Sequence, residues 1–426
     1  MKNSTVRAVN ALTTRWAGHA VAEGAGTVFT AAGVWPLLAL LADGADGPAR
    51  AELSQALGIP APAAAEAARE LLAALGGVRG LSAATGLWAR QDLPLEQTWT
   101  ARLPAGTRGA LNGDGDTDRK ALDAWVADRT GGLIERMPVH LDQETLLVLA
   151  SALALRLRWI RPFHSFPTLP DAGPWADRPL LGLYRSTSIL DRVRVAHAPT
   201  GPVTLLEVVG DGGVDVHLVL GEPQAPPGQT LQAGVAAVTR AIASTGASML
   251  PEGNPGPGLH IGTMGSPERQ HCLDIETVAF AVSAEHDLLS PAEPFGLASA
   301  SDKRTGHFPG ISSADLAVGT ARQSAVARFH AEGFEAAAVT AVSAAGAGGA
   351  PRTRFRVRHA QVAFLRPFGF LAVHRSSRLV LAAGWVTEPT AHVEEEYTEE
   401  EKYAEEKYAD ENYAEDGFRE PATLTG

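Results

Sequence analysis

The sequence predicts an α+β fold, and three observations carry that prediction. Helical patterns crowd the first 137 residues, strand patterns dominate from residue 145 onward, and one apolar run at 145–163 is continuous enough for a strand buried on both faces. The 426 residues, 45% of them hydrophobic, are ample for a large buried core in one large domain or two ordinary ones.

Taken in order, residues 6–21 place Val6, Val9, Leu12, Trp16 and Ala20 on one helical stripe. Residues 27–29 are short and strand-like. An apolar helix is expected over 32–41, with Pro36 inside it to start a turn or kink it. Residues 48–57 form a helix begun by proline and stopped by Gly58, and 63–75 another closed by Gly76 and Gly77. Residues 80–90 are a strand. Residues 199–220 hold two alternating strands about the turn at 210–213, 231–243 is helical, and 251–257 is a Pro/Gly loop. Strands follow at 273–280, 316–330 and 361–374, and 352–358 is basic and alternating.

The formal net charge is -12, but residues 391–426 hold 13 acids against 3 bases, so the body is near neutral and has no bias toward nucleic acid. Those last residues repeat Tyr-Ala-acid with a period of five and carry four of the five tyrosines. They are expected to form an acidic, low-complexity, disordered tail beyond a 1–390 domain. A tail of this kind is solvated, or serves as a lure for a basic partner or as a set of phosphorylatable tyrosines. Cys272 is the single cysteine, which excludes an intrachain disulfide and suits a reducing compartment. The N-terminus lacks the apolar core of a secretion signal, and no stretch of about 20 apolar residues offers a membrane span. A soluble monomer that stays in the cytoplasm is expected, with no membrane partner.

Catalytic and metal motifs are sparse. Asn112 to Asp118 resembles the start of a calcium loop, but Arg119 and Trp125 stand where Gly and a bidentate acid are needed, so a turn with Asp helix caps is expected. Cys272 has no second cysteine pair at metal spacing, and a core or surface role is expected for it. No phosphate loop and no Gly-x-Ser-x-Gly elbow occurs, so no enzyme, cofactor or metal is indicated.

One stretch is unusual. From Ala331 to Val342 side chains become small, and residues 343–350 continue with nothing larger than a hydroxymethyl. Composition allows a flexible loop, a short helix over Glu335 to Ala338, or a segment that slides into a crowded place. The flanks supply a resemblance. Residues 331–340 read Ala-Glu-Gly-Phe-Glu-Ala-Ala-Ala-Val-Thr, matching seven of ten positions of the reactive-loop hinge of the serpin family. Phe364-Leu-Arg-Pro-Phe and the closing residues 378–389 look like that family's following strands. Residues 118–137, with Leu122-Asp-Ala-Trp-Val, resemble its sheet-crossing helix, the Trp-x-x-Pro-Phe at 159–163 its central strand ending, and residues 287–311 its Leu-x-x-Leu-Gly helix and Phe-Ser-Gly-Ile turn.

The resemblance, to a serpin and specifically a bacterial-type one, implies about nine helices around three β-sheets with an exposed reactive-centre loop. It also implies a suicide-substrate inhibitor of a serine protease. The protease attacks the loop, and the cleaved loop inserts as a new strand in a five-stranded, kinetically trapped sheet. By family phase the core-facing hinge positions are Phe334, Ala336, Ala338 and Thr340, among hinge residues Glu332, Gly333, Phe334, Glu335, Ala336, Ala337, Ala338, Val339 and Thr340. Phe334 stands where Thr or Ser is usual; overpacking costs about 1–3 kcal/mol, and because it inserts first it is expected to slow insertion. Ala31, Val34, Ser151 and Gln323 stand where the sheet-opening region usually has two serines, an asparagine and a histidine, and Trp159 is retained. Family spacing puts the scissile bond at Ala347-Gly348, suited to an elastase- or subtilisin-like protease, with Arg352 as a trypsin-like alternative. A non-inhibitory binding or scaffold member of the same fold is the other reading.

Overall fold

The computed structural model describes residues 1–21, 25–139, 141, 144–334 and 354–392. Seven α-helices occur among them: α1 (Asn3–Ala20), α2 (Ala31–Gly44), α3 (Gly47–Leu57), α4 (Ala61–Gly76), α5 (Gln97–Thr100), α6 (Gly115–Thr130) and α7 (Pro227–Val238). Gly58 takes the left-handed conformation that ends α3 (φ 69°), as its residue type requires. Pro36 does not break α2, which runs on to Gly44 and is buried along nearly all its length. Its missing N–H falls early, where helix donors still lack intrahelical acceptors or have just gained them.

The described helices are fewer than the expected nine. In residues 287–297 the expected helix is replaced by the 3₁₀ turn Glu293–Phe295, because Pro291 and Pro294 remove donors and Gly296 reverses the chain at φ 68°. The helix expected over 118–137 starts earlier and stops at Thr130, where Gly131 caps it in the left-handed region. Asp114 is its N-cap, accepting from Thr117 N at 2.8 Å, and the Asp118 carboxylate accepts from the backbone of Asn112 and Gly113. The turn expected in place of a calcium loop is therefore what forms. No helix among the described residues is long and apolar enough to cross a membrane.

Three sheets complete the fold. The main sheet has five longer strands in the order Arg108–Leu111, Leu81–Arg90, Leu147–Leu155, Thr320–Phe329 and Phe280–Asp287. Every residue of Leu147–Leu155 is buried, as the continuous apolar run requires. A second, seven-stranded sheet carries Phe368–His374 and Val380–Val386 beside Val214–Leu220 and Gly201–Val209. The third has six strands, in the order Gly253–Gly256, Leu259–Ser266, Phe355–Ala363, Cys272–Val278, Leu180–Thr187 and His164–Thr168. Part of the expected Pro/Gly loop at 251–257 is thus an edge strand, where unpaired N–H positions tolerate proline.

α2 is wedged between the main and second sheets, which explains why it is apolar all round. α6 crosses the opposite face of the main sheet, burying Leu122 and Val126 against Ala84, Val148, Ala150 and Ala152. Ala391 still bridges to Leu180, and His392 N donates to Pro179 O at 3.0 Å, so backbone pairing with the body continues to residue 392. The acidic repeat lies outside the described residues.

Candidate functional site at the upper end of the main sheet

The two central strands, Leu147–Leu155 and Thr320–Phe329, run parallel and pair directly from Val148↔Thr320 to Leu153↔Ala325. Above Ala325 they part. The chain leaves Phe329, turns through Ala331 and Glu332, and returns as a two-residue strand, Gly333–Phe334. That strand is antiparallel to Phe329 on one side and to Leu157–Arg158 on the other. His330 N donates to Gly333 O at 3.0 Å to close the turn. On the other side Trp159 N donates to Glu332 O at 3.0 Å and Phe163 N to Ala331 O at 2.9 Å, while Trp159 Nε1 donates to His330 O at 2.8 Å.

Sequence dictates both seated residues. A Cβ on Gly333 would lie 2.0 Å from Leu157 O, so only glycine passes between the strands. Phe334 is 1% exposed and packs on Phe370 with ring centroids 6.0 Å apart. Phe370 meets Phe280, which stacks on Phe329 at 5.3 Å, and Phe329 meets Trp159 and Phe163. Arg185 lies over the Phe163 ring at 4.3 Å, and burial, with Arg192 and Arg161 nearby, brings its guanidinium down to about 10. Phe334 is therefore already seated, in space that aromatic neighbours shape for it.

Lower down, one cross-strand row places Thr85, Ser151, Gln323 and His286 side by side. Ser151 and Gln323 do not bond to each other. Gln323 instead grips the residue before α2, its Oε1 accepting from Thr30 N at 2.8 Å and its Nε2 donating to Thr30 O at 2.9 Å. Ser151 is fully buried and its Oγ, like that of Thr85, has no hydrogen-bond partner among the described residues. Helix α2 approaches it so closely that a Cβ on Gly33 would sit 2.5 Å from Ser151 Oγ. His286 Nε2 lies 2.9 Å from Val28 O, and burial lowers its pKa against the raising effect of that bond.

The rest of the expected loop, Glu335, Ala336, Ala337, Ala338, Val339, Thr340, the bond Ala347-Gly348 and the alternative Arg352, lies outside the described residues. Sequence patterning did not single out one cluster. On the third sheet Cys272, Asp274 and His359 bring their donor atoms within 4.8 Å of one another. Cys272 and Asp274 have the i, i+2 spacing that shares a strand face, but His359 is far away in sequence, and only the strand register joins them.

Comparison with known proteins agrees with this architecture. A family profile described as Serpin (serine protease inhibitor) matches residues 7–171 and 265–389, more than half of the chain. Serpin-Z2A of Oryza sativa subsp. japonica is 26% identical over 433 residues, 90% of this chain and 96% of the relative. Among solved structures, Serpin48 of the insect Tenebrio molitor superposes with a TM-score of 0.68 at 18% identity, over 90% of this chain and 98% of its own. Human thyroxine-binding globulin, complexed with thyroxine, superposes at 0.67 and 17% identity, over 91% and 98%. The similar sequences are rice proteins and lend no support to the bacterial-type expectation. The three sheets, the order of their strands and the family match together make this chain a member of the serpin family.

Proposed function

We propose that this serpin inhibits a serine protease by taking its cleaved loop into the main sheet. Membership supports protease inhibition in general. The observation that carries the specific reading is the register of Gly333–Phe334. That short strand is antiparallel to both neighbours, and Phe334 is opposite Phe329 on one side and Leu157 on the other. Continued downward in the same register, the chain places Thr340 opposite both Gln323 and Ser151, whose own pairing is already in register. One parallel ladder is then exchanged for two antiparallel ones, which are the more stable pairing per residue. The Thr340 hydroxyl is brought to the Ser151 Oγ that has no partner among the described residues. The small residues at 336–339 limit what must be moved aside to reach that position.

In this reading Phe334 is a starter rather than an obstacle. The overpacking it brings is already accommodated, and insertion begins from a nucleated strand end. The scissile bond at Ala347-Gly348 suits an elastase- or subtilisin-like enzyme, and Arg352 is the alternative for a trypsin-like one. The test is incubation with proteases of each class followed by boiling in detergent. A complex that survives boiling, with the cut mapped to 347–348, supports the proposal; clean cleavage without such a complex opposes it.

A second reading has its own observation. The double grip of Gln323 on Thr30 locks the middle of the sheet to α2, and a structure of this fold is known in complex with thyroxine. A non-inhibitory binding protein would keep the sheet closed after cleavage and leave the melting temperature of the cleaved chain unchanged.

A further inference from the structure

The outer face of the third sheet holds a polar cluster that loop insertion does not use. Leu273 and Ile275 point inward and are fully buried, which turns Cys272, Asp274 and Glu276 to the other face of the same strand. The parallel neighbour sets His359 directly beside Cys272. The antiparallel neighbour sets Ser186 beside Asp274 and Tyr184 beside Glu276. His359 Nε2 lies 2.7 Å from Asp274 Oδ2, Tyr184 OH donates to Asp274 Oδ1 at 2.8 Å, and Cys272 Sγ lies 3.2 Å from Ser186 Oγ and 3.5 Å from Asp274 Oδ1. Glu276 is engaged elsewhere, accepting from Thr168. Burial pushes the Tyr184 hydroxyl up to about 12, helped by its bond to Asp274. Burial works against the Asp274 carboxylate, but bonds from His359, Tyr184, Ser186 and Cys272 outweigh it and hold it below the usual range.

We propose that Cys272, Asp274 and His359 form a zinc site, completed by water in the fourth position. One thiolate, one imidazole and one carboxylate are the donor types zinc takes, and a soft thiolate disfavours magnesium and calcium. Zinc bonds of about 2.0–2.3 Å set tetrahedral donors about 3.3–3.7 Å apart. Asp274 Oδ2 is the ligating oxygen: the sulfur lies 3.5 Å from the other carboxylate oxygen, Oδ1, and each of the three residues offers a donor atom within 4.8 Å of the other two, so small side-chain rotations gather them. The imidazole-to-carboxylate pair opens by less than about 1 Å, a rotation of the Asp274 side chain, to reach the same geometry. Tyr184 holds the second carboxylate oxygen, the outer-shell bond that orients a ligating carboxylate. On loading, the Cys272 thiol proton leaves to solvent and the imidazole proton resides on Nδ1, so that Nε2 lends its lone pair to the ion. The ion joins Cys272–Val278 to Phe355–Ala363, the first described strand after residues 335–353. It therefore fastens the chain on the far side of the loop that is to be cut.

Cys272 is the only cysteine, so a thiol reagent reads this site alone. The full chain, stripped with a chelator, is titrated with zinc while Cys272 reactivity and bound metal are followed. The expected result is one zinc per chain and thiol protection that the chelator reverses. Cobalt in its place gives a thiolate charge-transfer band that is lost in Cys272→Ser. His359→Gln and Asp274→Asn each weaken zinc binding at least about tenfold, with unchanged melting in the absence of metal as the folding control. Unchanged thiol reactivity at saturating zinc overturns the proposal. So does a folded His359→Gln chain that binds zinc as the parent does, since that result assigns the metal to the thiol alone.

Discussion

The upper end and the middle of the main sheet are built from the same two strands and held by different forces. At the upper end the strands have parted, and the space is filled by Gly333, Phe334 and a chain of aromatic rings. Contacts of this kind are non-directional and tolerate a new neighbour. In the middle the strands touch, and Gln323 ties one of them to the start of α2 through two bonds, beside a serine hydroxyl that has none among the described residues. The difference teaches where a sheet can be open without cost and where opening must be driven: apolar filling keeps the gap at the top, and directional bonds keep it shut below.

Substitutions break the comparison at either end. The largest effect is expected from Gly333→Val, whose side chain meets Leu157 O and expels the returning strand. Hydrogen exchange at Trp159 and Phe163 N–H, which donate to the turn, should accelerate on the order of ten-thousandfold, equivalent to about 5.5 kcal/mol. Phe334→Ala removes a fully buried ring and should shift the hinge toward undocking by about 3–5 kcal/mol at most, read as new proteolytic sensitivity near Glu332. Gln323→Ala leaves the Thr30 N–H unpaired in a buried place, which costs about 1–3 kcal/mol, and should lower the melting temperature of the intact chain more than that of the cleaved one.

Acid sharpens the picture of the middle. The buried His286, together with His217 and His374, is pushed below its ordinary value by burial. The unfolded chain therefore takes up these protons first, near the ordinary value of about 6.5. Their contribution to stability is complete above that pH and is lost as pH falls toward the folded values. Stability should fall between neutral pH and about 5, by at most about 1.4 kcal/mol per pH unit for each histidine, lowering the melting temperature, and His286→Gln should flatten the slope. The smallest expected effect is Ser151→Ala. Deleting a hydroxyl without a partner should stabilise the intact chain by about 1 kcal/mol and narrow the difference between intact and cleaved melting, since the partner for Thr340 is gone.

Much of this was legible in the sequence where one segment determines its own environment. Residues 147–155 are apolar without interruption because both faces are covered, and Gly58 and Gly131 stop their helices by backbone conformation alone. The small-residue hinge and Trp159 were legible through resemblance. What depends on distant register was not. The strands His164–Thr168, Leu180–Thr187 and Leu259–Ser266 lie in a sheet with one face wet, and their glycine, proline and polar residues weaken the alternating signal.

 The seat of Phe334 depends on Phe370, and the Cys272 cluster depends on His359, so neither can be read from local spacing. The two prolines and the glycine that reduce residues 287–297 to one 3₁₀ turn are visible in the sequence, but the resemblance points to a helix there.

The comparison comes to a single question, whether the gap at the top extends downward once the loop is cut. Thermal unfolding of the full chain before and after cleavage between residues 335 and 353 answers it most directly. If the segment after Phe334 continues between the central strands, two antiparallel ladders replace one parallel ladder, and the cleaved chain melts well above the intact one. If the cleaved chain melts at the same temperature as the intact one, the strand ends at Phe334, and Gly333–Phe334 is a plug in the sheet and not the beginning of an insertion.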